Sequence, residues 1–273
     1  MTCIQGLLIP IELWCLVFDH VRGQRDRAQL LRVCRSFESE ARSALYKSVF
    51  LCSHSQAQKF YCVLLRNRQL ARVTQKLVIH AVTNWDGLTI PAFLPALFSF
   101  LVNVRHFDLR YFYRRPEEMY PVKCDLRMDD AWFPNLRVLV TTLPLSSEIA
   151  FPRFLQAHPR IEELYAPQAD ASSWSLAKPP ASIPSLRIVS CQPLLLRHLA
   201  SSTITSITHL DLHKATDEDL SHIIDLVGPQ LASLRMSEML YGGRGWSVYE
   251  IVTRLPVLQY LEVDMLSPKN VSR

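Results

Sequence analysis

The hexamer ITHLDL, Ile207 to Leu212, has apolar residues at its first, fourth and sixth positions. Side chains along a strand alternate between the two faces of a sheet, so Leu210 and Leu212 face one side and His209 and Asp211 face the other. The pattern, with apolar or small residues at those three positions, recurs along the chain. Its eight copies are TQKLVI from Thr74, VRHFDL from Val104, LRVLVT from Leu136, IEELYA from Ile161, LRIVSC from Leu186, ITHLDL from Ile207, LASLRM from Leu231 and LQYLEV from Leu258.

The segments between the hexamers favour helices. Successive hexamers start between 21 residues apart (Leu186 to Ile207) and 32 residues apart (Val104 to Leu136). The clearest connecting helix is Thr216 to Leu226, which has acidic residues in its first turn and periodic apolar residues after them. A proline comes shortly before several hexamers and disfavours helix at the preceding residue. These pairs are Phe133-Pro134, His158-Pro159, Ile183-Pro184 and Leu255-Pro256.

Hexamers at this spacing resemble the strand segment of a leucine-rich repeat. The resemblance implies an α/β fold in which residues 51–273 form an irregular solenoid of about eight repeats with a curved parallel sheet. No such repeat is stable alone, because each one buries its apolar face on its neighbours. A short apolar run, Ser48 to Cys52, and a helical segment around Gln56 to Leu70 precede the first hexamer.

The preceding stretch, LIPIELWCLVFDHVRGQRDRAQLLRVCRSFESEARSALY from Leu8 to Tyr46, predicts three short helices. Pro10 suits the first position of the first helix. Asp26 with Gln29 resembles a capping box that opens the second, and Ser36 can cap the third. The first helix has more apolar surface than so small a unit buries, so it either binds a partner or packs on the rest of the chain. The surplus residues are Ile9, Leu13, Trp14 and Phe18.

The same stretch resembles an F-box, the module that binds the Skp-type linker subunit of SCF-type cullin ubiquitin ligases. The family's opening Leu-Pro-x-Glu-Leu is here Ile9-Pro10-Ile11-Glu12-Leu13, its Ile-Phe is Val17-Phe18, and its Val-Cys-Arg is Val33-Cys34-Arg35. Ile9 replaces the usual Leu, and Phe37 stands where the family often has Trp. The resemblance implies a three-helix module over residues 6–50. It also implies linker docking through Ile9, Pro10, Leu13, Trp14, Phe18, Leu30, Val33 and Phe37.

The third and fifth residues of each hexamer and the residue directly after it are the candidate binding positions, because on a curved sheet they line the concave side. A mixed charged and aromatic lining suits recognition of a protein surface, although a solvated strand face is polar in any case. The candidates are His106, Asp108, Arg110, Glu163, Tyr165, His209, Asp211, His213, Tyr260 and Glu262. His209, Asp211 and His213 also form an alternative metal triad, for which the local sequence fixes no fourth ligand.

The composition argues against a nucleic-acid-binding, secreted or membrane-spanning protein. The 30 basic and 25 acidic residues are interspersed, so the net charge of +5 predicts no nucleic-acid partner. The patch RYFYRR, Arg110 to Arg115, is interpreted as a solvated loop rim. The seven cysteines show no CxxC pair, and the N-terminus lacks a signal-peptide pattern. The apolar stretch from Leu88 to Val102 is too short for a membrane span. We therefore expect a cytoplasmic or nuclear protein that has no membrane partner.

Enzymatic motifs are missing from the sequence: it contains no GxGxxG, P-loop, GxSxG or HExxH pattern, and GGRG at Gly242 to Gly245 lacks the Lys-Ser/Thr of a phosphate loop. We expect no enzyme activity, no cofactor and no metal. The overall layout resembles divergent F-box proteins of the basidiomycete, fungal type. That resemblance implies an adaptor that binds the linker, and through it a cullin, while its repeats capture an unknown protein target for ubiquitin-dependent degradation. The alternatives are a leucine-rich-repeat interaction scaffold without a ligase role and an enzyme built on the His/Asp face.

Overall fold

The computed structural model describes residues 17, 20–21, 24–30, 32, 38–82, 93–112, 133–142, 150–169, 181–239 and 248–265. The first helices with described bounds are α1 (Gln24–Leu30) and α2 (Glu38–Lys47). The other described strands and helices follow in chain order. They are β1 (Ser48–Leu51), α3 (His54–Arg66), α4 (Arg68–Val73), β2 (Lys76–Val82), α5 (Phe93–Phe100), β3 (His106–Phe112), β4 (Val138–Thr141), α6 (Ala150–Ala157), β5 (Glu163–Ala166), β6 (Ile188–Cys191), α7 (Pro193–Leu196), α8 (Ser201–Ile204), β7 (His209–His213), α9 (Asp217–Val227), β8 (Ser233–Met239), α10 (Val248–Arg254) and β9 (Tyr260–Met265).

The nine strands form one parallel sheet whose spatial order is the chain order, β1 to β9. The predicted α/β class with a parallel sheet is thereby confirmed. Each of the strands β2 to β9 begins at the third residue of one of the eight hexamers. The additional strand, β1, lies in the apolar run at Ser48 and pairs with β2. It spans the expected boundary between residues 50 and 51.

The apolar hexamer positions build the core. On β2 and β3 these are the buried residues Leu77, Ile79, Phe107 and Leu109. The equivalent positions of β4 to β8 are buried in the same way, and those of β9 are partly buried. Together with one side of the connecting helices they form a continuous cluster that runs from Val49 to Leu255. The alternation of side chains therefore places one face of the sheet against the helices and leaves the other outside this core.

Tight turns lead into the strands, and the prolines quoted above occupy their second position, where a fixed φ is favoured. The residue at the first hexamer position donates its N–H to the carbonyl three residues earlier. These bonds are Leu136 to Phe133 at 2.9 Å, Ile161 to His158 at 3.2 Å, Leu186 to Ile183 at 3.1 Å and Leu258 to Leu255 at 3.1 Å.

Buried side chains satisfy the N–H groups at the start of two of these turns. The N–H of Phe133 donates to Nε2 of His158 at 3.0 Å, and Nδ1 of the same ring lies 2.6 Å from the carbonyl oxygen of Phe154. This geometry requires a neutral imidazole protonated at Nδ1. In the same way, the N–H of Ile183 donates to Oγ1 of Thr203 at 2.6 Å.

The helix predictions are confirmed in part. Thr216 and Asp219 form a reciprocal capping box at the start of α9, with three acidic residues in its first turn. The segment around residues 56–70 is two helices, because the side chain of Asn67 caps α4 directly after α3. The expected capping box at Asp26 is wrong: α1 already begins at Gln24, so Asp26 lies inside the helix.

The expected linker-binding residues fall almost entirely outside the part that the structure describes. Ile9, Pro10, Leu13, Trp14, Phe18, Val33 and Phe37 lie outside it, and Leu30 is described only as the last residue of α1. The third predicted helix corresponds to α2, which runs directly into β1 and contacts α4. Among the described helices, none has both the length and the apolar character needed to cross a membrane.

Candidate functional site

The face of the sheet opposite the core carries all ten candidate binding residues, and we call it the polar face. The parallel register places the polar hexamer positions of neighbouring strands side by side. One row across the sheet is Ser48, Lys76, His106, Val138, Glu163, Ile188, His209, Ser233 and Tyr260, and the next is Phe50, Val78, Asp108, Val140, Tyr165, Ser190, Asp211, Arg235 and Glu262. The register therefore joins side chains that are far apart in sequence into continuous rows.

The group on β3 centres on a buried carboxylate. Asp108 is only 5% exposed and accepts a hydrogen bond from Nε of Arg110 at 2.9 Å. Burial, helped by the positive charge of Lys76, lowers the pKa of the neighbouring His106, which is therefore neutral near pH 7. Asp108 thus orients Arg110, and it is Arg110 and His106 that offer polar atoms to a partner.

On β5 a tyrosine and a carboxylate act together. The hydroxyl of Tyr165 donates to Oε2 of Glu163 at 3.1 Å. Burial, and then the Glu163 charge and hydrogen bond, raise the pKa of Tyr165, so the phenol stays protonated at neutral pH. The pair presents a fixed acceptor beside an aromatic ring, an arrangement that suits contact with a protein surface.

The strands β6 to β8 hold the most connected polar group of the face. Oγ of Ser190 lies 3.1 Å from Oδ2 of Asp211 and 3.0 Å from Nε2 of His213, and these last two atoms are 3.2 Å apart. Oγ of Ser237 donates to the other carboxylate oxygen at 3.4 Å. Burial acts to raise the pKa of Asp211, but the His213 and Ser190 hydrogen bonds and nearby positive charge outweigh it, so the pKa is lowered. Asp211 is ionised at neutral pH.

A serine, a histidine and an aspartate in contact invite comparison with a nucleophilic triad. In such a triad the carboxylate holds one ring nitrogen while the other nitrogen takes the serine proton. Here Asp211 and Ser190 both approach Nε2 of His213, so the nitrogen that would serve as base already faces the carboxylate. Ser190 is also only 4% exposed. The group therefore differs from the relay of a triad, and its side-chain hydrogen bonds link β6 to β7.

The alternative metal triad is not assembled either. Nδ1 of His209 lies 2.9 Å from Oγ1 of Thr208, whereas Asp211 and His213 contact each other and Ser190. Across the described ranges, no group of three or more His, Cys, Asp or Glu side chains is placed to hold a metal ion. Burial raises the pKa of the nearby Cys191, which is fully buried and stays a thiol.

The last two strands continue the polar face to its edge. Nε of Arg235 lies 3.5 Å from Oε1 of Glu262, and the hydroxyl of Tyr260 donates to Oε2 of the same carboxylate at 2.6 Å. This hydrogen bond raises the pKa of Tyr260. Tyr260 is 53% exposed, so an aromatic ring with a fixed hydroxyl stands open on the polar face. All three side chains are within reach of a partner.

Sequence reasoning missed several members of the polar face. Lys76 and Ser190 occupy the third and fifth hexamer positions, and His80 and Ser237 directly follow a hexamer. The predicted residues occupy the same positions, so position alone could have identified these four. His80 also packs edge-on against Phe50 of β1, with ring centroids 4.6 Å apart. The contact of Ser190 with Asp211 and His213 depends on the register of β6 with β7, which the pattern within one hexamer does not give.

No protein-family model matches the chain, and a comparison with curated proteins finds no significant match. Function is therefore inferred from the fold and the side-chain geometry. They define an α/β protein whose nine-stranded parallel sheet buries one face and presents a mostly polar lining, with aromatic and a few aliphatic side chains, on the other.

Proposed function

We propose that this protein is a recognition adaptor: the polar face binds a protein target, and the N-terminal F-box-like helices bind the Skp-type linker of an SCF-type cullin ligase. The observation that carries the proposal is the polar face, on which the parallel register sets polar and aromatic side chains, with a few aliphatic ones between them, side by side across strands in chain order. It supports a leucine-rich-repeat-like arrangement, in which an extended sheet face serves as a binding surface. A broad face with exposed Tyr260 and Phe50 suits a protein better than a small molecule.

The adaptor role works through proximity. Binding a target and a ligase on one rigid body raises the effective concentration of the target's lysines near the transfer site. In the group of Ser190, Asp211 and His213, the serine and the carboxylate both contact Nε2 of the histidine, an arrangement that differs from a nucleophilic triad. The linker half of the proposal rests on the sequence resemblance of residues 9–37.

The testing experiment is co-purification with a Skp-type linker protein. The wild-type chain is compared with a variant carrying Pro10→Ala, Leu13→Asp and Phe18→Asp, and circular dichroism checks that both are folded. We expect the wild type to retain the linker and the folded variant to lose it. A folded wild type that does not retain the linker would overturn the ligase role.

A scaffold without a ligase role is the second candidate. The observation that favours it is that α2 leads directly into β1 and contacts α4, as expected of helices that cover the first end of the sheet. In that case the variant with Leu13→Asp and Phe18→Asp would unfold or lose stability instead of losing a partner. Its urea midpoint therefore separates the two functions.

A further inference from the structure

A second row of side chains lies at the edge of the sheet where the strands begin. It consists of the residue before each strand, the second hexamer position, and we call it the edge row. Its members are Lys47, Gln75, Arg105, Arg137, Glu162, Arg187, Thr208, Ala232 and Gln259. Four of the first six are basic, whereas the last three are neutral.

The backbone holds the edge row in register. Each member donates its N–H to the carbonyl of the preceding member over 2.7 to 2.9 Å, from Gln75 to Lys47 through to Gln259 on Ala232. Neighbouring members are therefore about one strand spacing apart, roughly 4.8 Å. The charged residues are 25 or more positions apart in sequence, as Arg137 and Arg187 are. The sequence therefore shows no cluster of basic residues that would predict the row.

The charged members of the edge row are open to solvent. Lys47, Arg105, Arg137 and Arg187 are all exposed. Arg137 pairs with Glu162, with Nη1 and Oε1 3.1 Å apart and the two side chains 57% and 44% exposed. Among the described residues, neither Arg105 nor Arg187 forms an ion pair with a carboxylate. Like charges on adjacent strands repel, and an acidic partner would remove that repulsion.

We infer that the edge row binds an acidic, extended segment of a protein, and that this segment crosses the starts of β1 to β6. The distance from Lys47 to Arg187 covers five strand spacings, or about 24 Å. An extended chain advances about 3.3 Å per residue, so about eight residues span the row. Glutamate or aspartate side chains along such a segment would meet Arg105, Arg137 and Arg187 in turn.

A protein segment fits better than a nucleic acid for two reasons. Glu162 in the edge row and Glu163 beside it interrupt the positive charge at β5, and both would repel a uniformly charged phosphate backbone. A peptide can place a neutral or basic residue there. The exposed members of the row also include no aromatic ring on which bases could stack.

This inference deepens the proposed function, because it rests on protein recognition and names the chemistry of the partner. The full chain is titrated into a fluorescent peptide of about eight residues in which glutamate alternates with serine, and binding is followed by anisotropy. A matched peptide with glutamine in place of glutamate and a single-stranded RNA of similar length are the comparison probes. The assay contains no linker protein, so failure of linker binding leaves its result unaffected.

The test variant carries Arg105→Gln, Arg137→Gln and Arg187→Gln. Its matched control carries Lys59→Gln, Arg66→Gln and Arg153→Gln, which remove the same charge from exposed helix positions. We expect roughly tenfold weaker peptide binding for the test variant, as for the loss of three exposed ion pairs, and unchanged binding for the control. Glu162→Gln should strengthen binding about threefold, because it releases Arg137, and a folding defect cannot produce that gain.

Three results would overturn the inference. The first is no measurable affinity of the wild type for the acidic peptide, or equal affinity for the glutamine peptide. The second is an equal loss in the test and control variants, which would show a response to net charge alone. The third is tighter binding of the RNA than of the peptide, lost in the test variant, which would assign the edge row to nucleic acid.

Discussion

The first five strands and the last four share one backbone plan but differ in their side chains. All twelve phenylalanines of the chain lie at or before Phe154, and the buried ones pack with leucine and other aliphatic residues in the core under β1 to β5. Beyond Ile161 the core is built from Leu, Ile, Val, Ala and Met with the buried Cys191. Burial of apolar side chains at the same positions maintains the scaffold in both regions, whichever apolar residue is present. The exposed side chains can therefore differ between the two regions without a change of fold.

The surfaces differ in the same two regions. The edge row of the first five strands contains three of its four basic residues, and Arg110 stands on the polar face nearby. The last four strands instead join Ser190, Asp211 and His213, and then Arg235 with Glu262, into internal hydrogen bonds and ion pairs. In its edge row the first region thus carries more exposed basic charge, whereas the second joins its charged side chains into contacts within the polar face.

The largest expected effect tests whether the core under β1 to β5 and the core under β6 to β9 unfold in a single transition. Phe133 is fully buried and its ring lies 5.6 Å from that of Phe98 and 5.1 Å from that of Phe107. Phe133→Ala should lower the free energy of unfolding by about 3 to 5 kcal/mol, through lost burial and a cavity. Urea denaturation followed by circular dichroism and by tryptophan fluorescence measures this loss.

Leu186→Ala, at a fully buried site in the second region, is the matched variant and should cost about 2 to 5 kcal/mol. A single transition in both variants would show that the two cores are coupled. Two separate transitions, with only one shifted by each substitution, would show that the regions unfold independently. A loss below about 1 kcal/mol for Phe133→Ala would contradict the packing described above.

The next effect compares the two buried groups that satisfy turn N–H groups. His158→Ala removes the partners of the Phe133 N–H and the Phe154 carbonyl and should cost about 2 to 4 kcal/mol. Thr203→Val removes the acceptor of the Ile183 N–H with little change in volume and should cost about 1 to 3 kcal/mol. Chemical denaturation at pH 7 measures both, and equal wild-type stability of either variant would refute its role.

Variants at His158 and Thr203 should also differ in how their stability depends on pH. Burial lowers the pKa of His158 in the folded state, so the unfolded chain binds the proton more readily. Stability is therefore complete above the unfolded value near 6.5 and falls as the pH drops below it, towards the folded pKa. His158→Gln should show a shallower decline between pH 7 and pH 5 than the wild type, whereas Thr203→Val should keep the wild-type slope. A His158→Gln slope as steep as that of the wild type would assign the acid sensitivity to other groups.

A smaller effect is expected from the ordered face of the second region. Asp211→Asn removes the charge that His213 and Ser190 stabilise and should cost about 1 kcal/mol at pH 7. Because the folded pKa of Asp211 is lowered, its contribution is present above the unfolded value near 3.9 and is lost as the pH falls through the folded pKa. The difference between the variant and the wild type should shrink below about pH 4, and a constant difference would contradict the charge argument.

The smallest effect concerns the first region's edge row. Arg137→Gln should change the free energy of unfolding by less than about 0.5 kcal/mol, because the pair with Glu162 is largely exposed. Thermal unfolding by calorimetry measures it. A loss as large as that of Asp211→Asn would mean that the edge row serves the fold, and the contrast between the two surfaces would fail.

Much of the scaffold could be predicted from sequence because burial repeats at fixed positions. Each hexamer marks one strand, and even the missed strand fits: Tyr46, Lys47, Ser48, Val49, Phe50 and Leu51 follow the same pattern. The pattern alone does not predict this strand, because Tyr46 and Lys47 also belong to the helix α2. The site was harder to predict. Ser190 is small and polar, and its role with Asp211 and His213 depends on which strands are neighbours and in what register.

The order of the strands along the chain also shapes how the protein opens. Among the described strands, each one bonds only with its neighbours in sequence, so no pairing ties β1 back to β9. Releasing a terminal strand breaks one interface, whereas releasing a central strand breaks two. Amide hydrogen exchange should therefore be slowest near β4 to β6 and faster towards both ends, as in a one-dimensional chain of coupled units.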